Sequence, residues 1–495
     1  MIESPADAPV ETTPDDGHSA RRMTRGAVAM LSTQPFTWAA AVVWAILVPR
    51  YLGADGAGRF SIAWTIAGIA GLVASAGLPS YVTRKVAHQP ERAAEFAWGG
   101  LAAVAISSLG VALILLTTLQ LVHSSSIDLE IVAIGIAAAM TAAAQGIMTS
   151  VLMGAGRHVR YAFTSASYAI VGTVACTSAL VLGAGVTGYA AAMLAGWASV
   201  TVLLWATSGM RPTRAAVRPA LLRELFVGGL PFIGWSVALS VRGQADVVLA
   251  GLLLQPAVAG WLWAAYRIIN FAVFIPTIIA TPLLPALARI KDRPALCRKL
   301  LKDSLSAVLL LIVPVSAAIF ALAPAIPSFL GWPAELEHSV PVMMILSFQQ
   351  TLVAVDVVLG MSLIALGLER RWLRVAVVGA IFNPLLNLIA IPLAQSATAN
   401  GAIGAAIVEV VTETLFLGGA LILMPKGILG RDMLSTAARI LGCGAVFVGV
   451  AVVLRPLGPF VAAGAGAVSY AILAVAVGAL RPQQVRAVRL ALRAA

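Results

Sequence analysis

The chain has 495 residues, 60% of them hydrophobic and only 11% charged, with a mean hydropathy of +0.94; a soluble globular chain is about half apolar and about a quarter charged. A water-soluble protein is excluded, and because the longest polar stretch is a tail of about 20 residues, no room is left for a soluble catalytic domain. The formal charge of +12 invites a nucleic-acid reading until the positions of the charges are considered.

Residues 1–20 carry Glu3, Asp7, Glu11, Asp15 and Asp16 with three prolines, the composition of a disordered tail. The basic cluster Arg21, Arg22 and Arg25 follows this acidic stretch rather than opening it, so the tail does not read as a signal peptide. Spanning a bilayer takes about 20 apolar residues per helix, and fourteen spans can be laid along the chain: 26–49, 60–82, 96–122, 131–153, 161–183, 186–209, 225–253, 257–288, 304–330, 340–367, 375–393, 401–424, 435–454 and 458–480. Residues 481–495 place basic residues against Val and Leu, as a short helix lying on the inner leaflet would.

With the N-terminus inside, 28 of the 33 basic residues fall on cytoplasmic segments. The opposite face holds only Arg50, Arg59 and Arg455, while Arg242 and Arg267 lie within spans. This asymmetry is an orientation signal that places both termini in the cytoplasm. Basic residues spread over every inner loop form no continuous stripe, so nucleic acid is not a partner. Cys176, Cys297 and Cys443 show no CxxC spacing and imply neither a disulfide framework nor a metal site.

The segment 52-LGADGAGRFSIAWTI-66 is similar to 254-LQPAVAGWLWAAYRI-268 at an offset of 202, aligning Gly58 with Gly260 and Trp64 with Tyr266. Further on, 152-LMGAGRHVRYAF-163 is similar to 363-LIALGLERRWLR-374. Two six-span halves therefore follow one another, residues 21–215 and 216–430, with two more spans in 431–480 and a basic tail in 481–495. Six is even, so the repeat is parallel, with its pseudo-two-fold axis along the membrane normal. The expected fold class is an all-α polytopic membrane protein, two parallel six-helix bundles around a central cavity plus two C-terminal helices, an arrangement typical of alternating-access transporters.

Six blocks in order resemble the polysaccharide flippases, including the Wzx-type O-antigen translocases, of the multidrug/oligosaccharidyl-lipid/polysaccharide superfamily to which the MATE exporters belong. They are 51-YLGADGAGRFSIAW-64, 77-GLPSYVTRKVA-87, 229-GLPFIGW-235 with 245-ADVVLAG-251, 260-GWLWAAYRI-268 with 282-PLLPALAR-289, 363-LIALGLERRWL-373 with 382-FNPLLNLIAIP-392, and 401-GAIGAAIVEVV-411. The resemblance implies a bacterial plasma-membrane protein, not an enzyme and without a cofactor. It would carry a polyprenyl-pyrophosphate-linked oligosaccharide from the inner to the outer leaflet, with membrane lipids and glycan polymerases or glycosyltransferases as partners. Span one has no basic residue between Arg25 and Arg50, which weighs against a lipid II substrate. Spans one to six contain almost no carboxylates, which weighs against a cation-coupled drug exporter.

Charges within spans cost about 2.5–3.5 kcal/mol each on insertion scales and are functional candidates. Arg242 and Asp246 share a face of the seventh span, either as a local ion pair or with Asp246 aiming Arg242 at a pyrophosphate. Arg267 stands beside Trp261, Trp263 and Tyr266, an interfacial anchor or a second cationic contact. Asn383 and Asn387 share a face and could bond sugar hydroxyls or a neighbouring helix. Asp356, Glu409 and Glu413 are candidates for ion coupling or for sealed helix contacts. Pro276, Pro282 and Pro285 should bend the eighth span as a hinge.

Trp38, Trp44, Trp98, Trp332 and Trp372 read as aromatic-belt residues. His123 with Asp128, and Glu335 with His338, read as hydrated loop residues. A membrane glycosyltransferase lacks an exterior loop large enough to carry its site; a scaffold that recruits glycan enzymes without moving substrate stays open.

Overall fold

The computed structural model describes residues 14–122 and 127–479, with side chains throughout except at 14–31, 122, 231–239, 241 and 242. The C-terminal tail thus lies outside the described residues. Among those described there is no β-strand, and the chain runs as α1 (Pro14–Ser75), α2 (Leu78–His88), α3 (Ala93–Val122), α4 (Leu129–Gly154), α5 (His158–Val181), α6 (Gly185–Ala206), α7 (Pro219–Leu253) and α8 (Pro256–Ile269). Then follow α9 (Phe274–Ile290), α10 (Pro294–Leu322), α11 (Ile326–Leu330), α12 (Ser339–Ala365), α13 (Glu369–Thr398), α14 (Gly401–Leu423), α15 (Arg431–Val453) and α16 (Pro459–Ala476). Local chemistry sets several starts. Proline opens α8, α10 and α16, where its missing N–H is not needed, and the Asn400 side chain accepts from the Ala402 N–H at the head of α14.

Eleven described helices are long and apolar enough to cross a membrane, or twelve with the bent pair α8–α9 taken as one span. At about 1.5 Å per residue, the 62 residues of α1 are far longer than one crossing. They are two helices joined at Gly53, whose φ of 66° is a backbone conformation that glycine adopts without strain. Counting the two legs of α1 apart adds one more; of the expected span in α7, only Gly243–Leu253 is described as an apolar helix, and a short one. Large apolar side chains are widely exposed, Ile422 at 85% and Leu434 at 70%. In water that would be an aggregation liability, whereas hydrocarbon is a good solvent for it. The chain is a multi-pass membrane protein.

Contacts divide the chain into two units. The first comprises Met1–Trp44, Ala67–Val122 and Leu129–Ser236; the second comprises Ala45–Ile66, His123–Asp128 and Val237–Ala495. In the first unit, Leu78, Val82, Phe96, Ile147 and Val151 form a core that takes in Leu221 and Leu225 of α7, and Gly228 lies so close to Tyr81 that a Cβ there would overlap the ring. In the second unit, Ala54 and Ile62 of α1 join the core of Val258, Leu262, Ala265, Met343, Leu346 and Ala405. The last two helices pack on α10, with Tyr470 Oη donating to the Leu310 carbonyl at 3.1 Å.

The segment 45–66 is held in the second unit by a reciprocal crossing. A Cβ on Gly58 would collide with the carbonyl of Pro256, and a Cβ on Gly260 would collide with the carbonyl of Ala54. Ala54 and Pro256 are themselves separated by 202 residues, so each repeat presents the same four-residue ridge to the other. This is the self-complementary geometry of a two-fold interface, built within one chain. Both glycines are there because only a missing side chain lets two helix backbones touch.

Gly58→Val or Gly260→Val should therefore prevent the crossing. Overpacking of this kind costs about 1–3 kcal/mol where side chains can adjust, and here the obstacle is backbone. Monodisperse protein recovered in size-exclusion chromatography should fall sharply for both variants, while Gly68→Val, where a Cβ meets nothing within 4 Å, should leave it unchanged.

Candidate functional site

Beyond the crossing, α1 and α8 carry a ladder of rings in the second unit. Trp64 stacks on Phe60 with centroids 5.1 Å apart and planes inclined by 24°, and Trp263 meets Phe60 edge-on at 6.5 Å. The guanidinium of Arg267 lies over Trp263, 4.3 Å from the centroid, a cation–π placement. Phe60 and Trp263 are buried, whereas Trp64, Tyr266 and Arg267 are half-buried. Trp261 and Trp263 thus belong to the core rather than to an interfacial belt.

Asp246 of α7 is fully buried. Its Oδ1 accepts from the Val247 N–H at 2.9 Å, and its Oδ2 accepts from the Tyr266 hydroxyl. The partner expected from spacing, Arg242, lies on α7 with its side chain outside those described. Tyr266, on the neighbouring helix, was not among the expected site residues; its alignment with Trp64 in the repeat was the available signal.

A second polar cluster joins α12, α13 and α14. Asn383 Nδ2 donates to Glu409 Oε1 at 2.8 Å and to Thr412 Oγ1 at 3.1 Å. Gln349 Nε2 donates to Glu409 Oε2 at 3.2 Å. Asn387 Nδ2 donates to the Asn383 backbone carbonyl at 3.1 Å and to Asn383 Oδ1 at 3.0 Å. Asn383, Asn387 and Glu413 are 0% exposed and Glu409 is 4% exposed. The asparagine pair and Glu409, expected in separate roles, thus form one interhelical network that also draws in Gln349 and Thr412. Asp356, on α12, is half-buried.

The eighth span bends by 56° between α8 and α9. The break is at 270–273, Pro276 lies in the first turn of α9, and Pro282 and Pro285 lie inside it. The prolines thus follow the bend, Pro276 where a helix tolerates a missing N–H.

Acidic loop residues prove to be structural. Glu335 Oε1 accepts from the Ala54 N–H at 2.6 Å, capping the leg of α1 that begins after Gly53, where the helix dipole favours an anion. Asp55 and Asp128 both take Arg59, at 2.7 and 3.3 Å, and the His338 ring lies 4.3 Å from that of Trp261. His123 is outside the described residues. Trp332 and Trp372 are buried, the latter edge-on to Phe416 at 5.7 Å, so these two are core residues and not belt residues. In the first unit, Lys85 pairs with Glu224 at 2.6 Å and Tyr81 Oη donates to the same carboxylate at 3.1 Å. The Lys85 hydrogen bond is the main reason the Glu224 carboxyl titrates below its ordinary range. Among the described residues no group of three or more His, Cys, Asp or Glu could hold a metal ion.

Residues 23–291 match the model of the family described as polysaccharide biosynthesis protein. No curated protein matches the chain. Among solved structures, the chain is similar to the lipid II flippase MurJ in an inward closed conformation, with a TM-score of 0.72 and 13% identity over 91% of this chain and 98% of that one. It is also similar to a multidrug resistance MATE family transporter of the MOP superfamily in an inward-facing conformation, with a TM-score of 0.56 and 18% identity over 83% and 99%. A eukaryotic MATE transporter gives a TM-score of 0.54 at 15% identity over 85% and 99%. At these identities the likeness is one of fold.

The α12–α14 network makes one stability difference measurable. Asn383→Leu removes two donors, one of them from a buried carboxylate, and should cost about 1–3 kcal/mol. Asn387→Leu, whose amide bonds only Asn383 among the described residues, should cost less. Thermal unfolding midpoints of the two variants in detergent should fall in that order.

Proposed function

We propose, from the premise that the chain belongs to the polysaccharide biosynthesis protein family, that it is a flippase moving a polyprenyl-pyrophosphate-linked oligosaccharide from the inner to the outer leaflet by alternating access. One observation carries the reading. Within the family-matched residues, a half-buried guanidinium at Arg267 and a ring-and-carboxylate pair at Tyr266 and Asp246 sit on membrane-spanning helices. A charged group kept in that setting, against its insertion cost, is suited to an anionic substrate that must cross hydrocarbon.

The membrane is a bacterial plasma membrane, with both termini cytoplasmic as the basic-residue partition favours. Arg267, with Arg242, supplies cationic contact for the pyrophosphate. Asp246 acts on the substrate through Tyr266, whose hydroxyl it holds. Glu409, with Glu413 and Asp356, supplies exchangeable charge for cation coupling, with Asn383 and Asn387 fixing the geometry of Glu409. The break at 270–273 is the hinge of the eighth span, and Pro276, Pro282 and Pro285 keep α9 distinct from α8.

Removing the protein from its host should cause one polyprenyl-linked glycan to accumulate on the inner leaflet, measured by mass spectrometry of extracted lipids. The intact protein should relieve the build-up, and Arg267→Ala at equal membrane level should restore no more than about a tenth of the flux, the cost of one charge-assisted contact. Build-up of the peptidoglycan precursor would reassign the substrate. Drug sensitivity without any build-up would overturn the flippase reading in favour of an exporter.

A further inference from the structure

Beyond the crossing of α1 and α8, the two repeats start their helices differently. Ala54 and Pro256 hold the same place, 202 residues apart. Pro256 opens α8 and has no N–H, so that helix start has one donor fewer to satisfy. Ala54 starts the second leg of α1 with its N–H in place and is fully buried, and a buried N–H needs an acceptor. The usual supplier is the side chain just before the helix, as Asn400 is for α14. Here that residue is Gly53, which has none, and the acceptor is Glu335 Oε1, 281 residues away in sequence and 2.6 Å in space. Gly53 also makes the room, since a Cβ there would lie 2.5 Å from the same oxygen. One helix start is therefore complete by itself, and the other is complete only while the loop 331–338 stands in place.

We propose that this loop is a latch of the transport cycle with Glu335 as its catch: the carboxylate pins the turn of α1 at 53–54 in the state described, and passage of substrate requires it to let go. The inference rests on the flippase reading and names one contact that is exchanged between access states.

What can be exchanged depends on what water can reach. Gly58 and Gly260 meet carbonyls of the facing helix, backbone against backbone, within a core whose members Ala54, Ile62, Val258 and Leu262 are all 0% exposed, so nothing from solvent takes the place of that contact. Around the turn beyond it the ties are polar and wet. Glu335 is exposed, and Arg59, which reaches Asp55 and Asp128, is 37% exposed against 34% for Asp128. Water competes for such contacts and lowers their net contribution.

The rest of the loop is tied down. Trp332 and Leu336 are buried in the core of the second unit, the His338 ring lies against Trp261 at 4.3 Å, and the His338 carbonyl accepts from Asn400 Nδ2 at 2.8 Å. Motion is thus confined to the Glu335 side chain and the turn it holds, with the glycine crossing as a fixed point. A catch made of one charge-assisted hydrogen bond biases the two states by about ten- to a hundredfold. Differential binding of a substrate can reverse a bias of that size, whereas an apolar seal over the same turn would have to be pulled from its core.

Amide hydrogen exchange of the purified protein in lipid nanodiscs reads the catch directly, because the Ala54 N–H is its donor. Exchange over residues 50–56 should rise by about tenfold or more in Glu335→Ala and stay close to its original rate in Glu335→Gln, whose amide oxygen still accepts. Glu337→Ala, on the same loop, should change nothing. In the unsubstituted protein, a polyprenyl pyrophosphate carrying one N-acetylglucosamine should bind, followed by native mass spectrometry, and should also speed exchange over 50–56 while leaving 258–265 unchanged.

An unaltered rate in Glu335→Ala, or an equal rise in Glu337→Ala, overturns the latch and leaves the flippase reading standing. So does binding of the probe with exchange over 50–56 unmoved, which makes Glu335 a static cap; this arm needs no substitution and decides the matter even where Glu335→Ala fails to reach the membrane. Failure of the unsubstituted protein to bind the probe overturns the flippase reading and the latch together.

Discussion

Two helix backbones touch where α1 meets α8, and the arrangement of the second unit depends on that contact. It is possible only because Gly58 faces the Pro256 carbonyl and Gly260 faces the Ala54 carbonyl. From it follow the placement of residues 45–66 in a unit otherwise made of later sequence and the alignment of the ring ladder on both helices. Glu335 completes the same region by capping the leg of α1 that starts after Gly53, so the acidic residue is a structural part of the repeat contact rather than a solvent-facing ornament.

The other constraint is the solvent. Hydrocarbon offers no hydrogen bonds, so each polar side chain within it must find a partner in the protein. Asp246 finds Tyr266 and a backbone N–H, and Glu409 finds two amides. Such networks hold three helices in one register. They also keep ionisable groups where a change in charge would be felt by every helix that contacts them.

Much of the fold was legible because its signals are local or periodic. Apolar length marked the spans, and the repeat at an offset of 202 surfaced through glycines that the crossing cannot do without. Partners across helices were not legible. Spacing along one helix offered Arg242 for Asp246 and could not offer Tyr266, which donates to it from the neighbouring helix; the alignment of Tyr266 with Trp64 in the repeat was the one trace of it in the linear order. Asn383 and Glu409 were each visible as polar residues in apolar runs, yet their bond depends on how α13 packs on α14. Trp372 near a span end resembled a belt residue because its socket beside Gly360 and Phe416 is made by distant sequence. The bend in the eighth span was foreseen, but its place was not, since proline marks where a helix can begin as well as where one breaks.

The start of α7 belongs to the first unit. Leu221 and Leu225 complete the first core, and Lys85 reaches Glu224 at its edge. During synthesis, six spans can therefore enter the bilayer before the first core can close, because the ribosome must first deliver the start of the seventh. Residues 45–66 wait longer, since Pro256 and Gly260 emerge some two hundred residues after them. The order of folding is thus not the order of translation, and the earliest part of the protein to be inserted is among the last to settle.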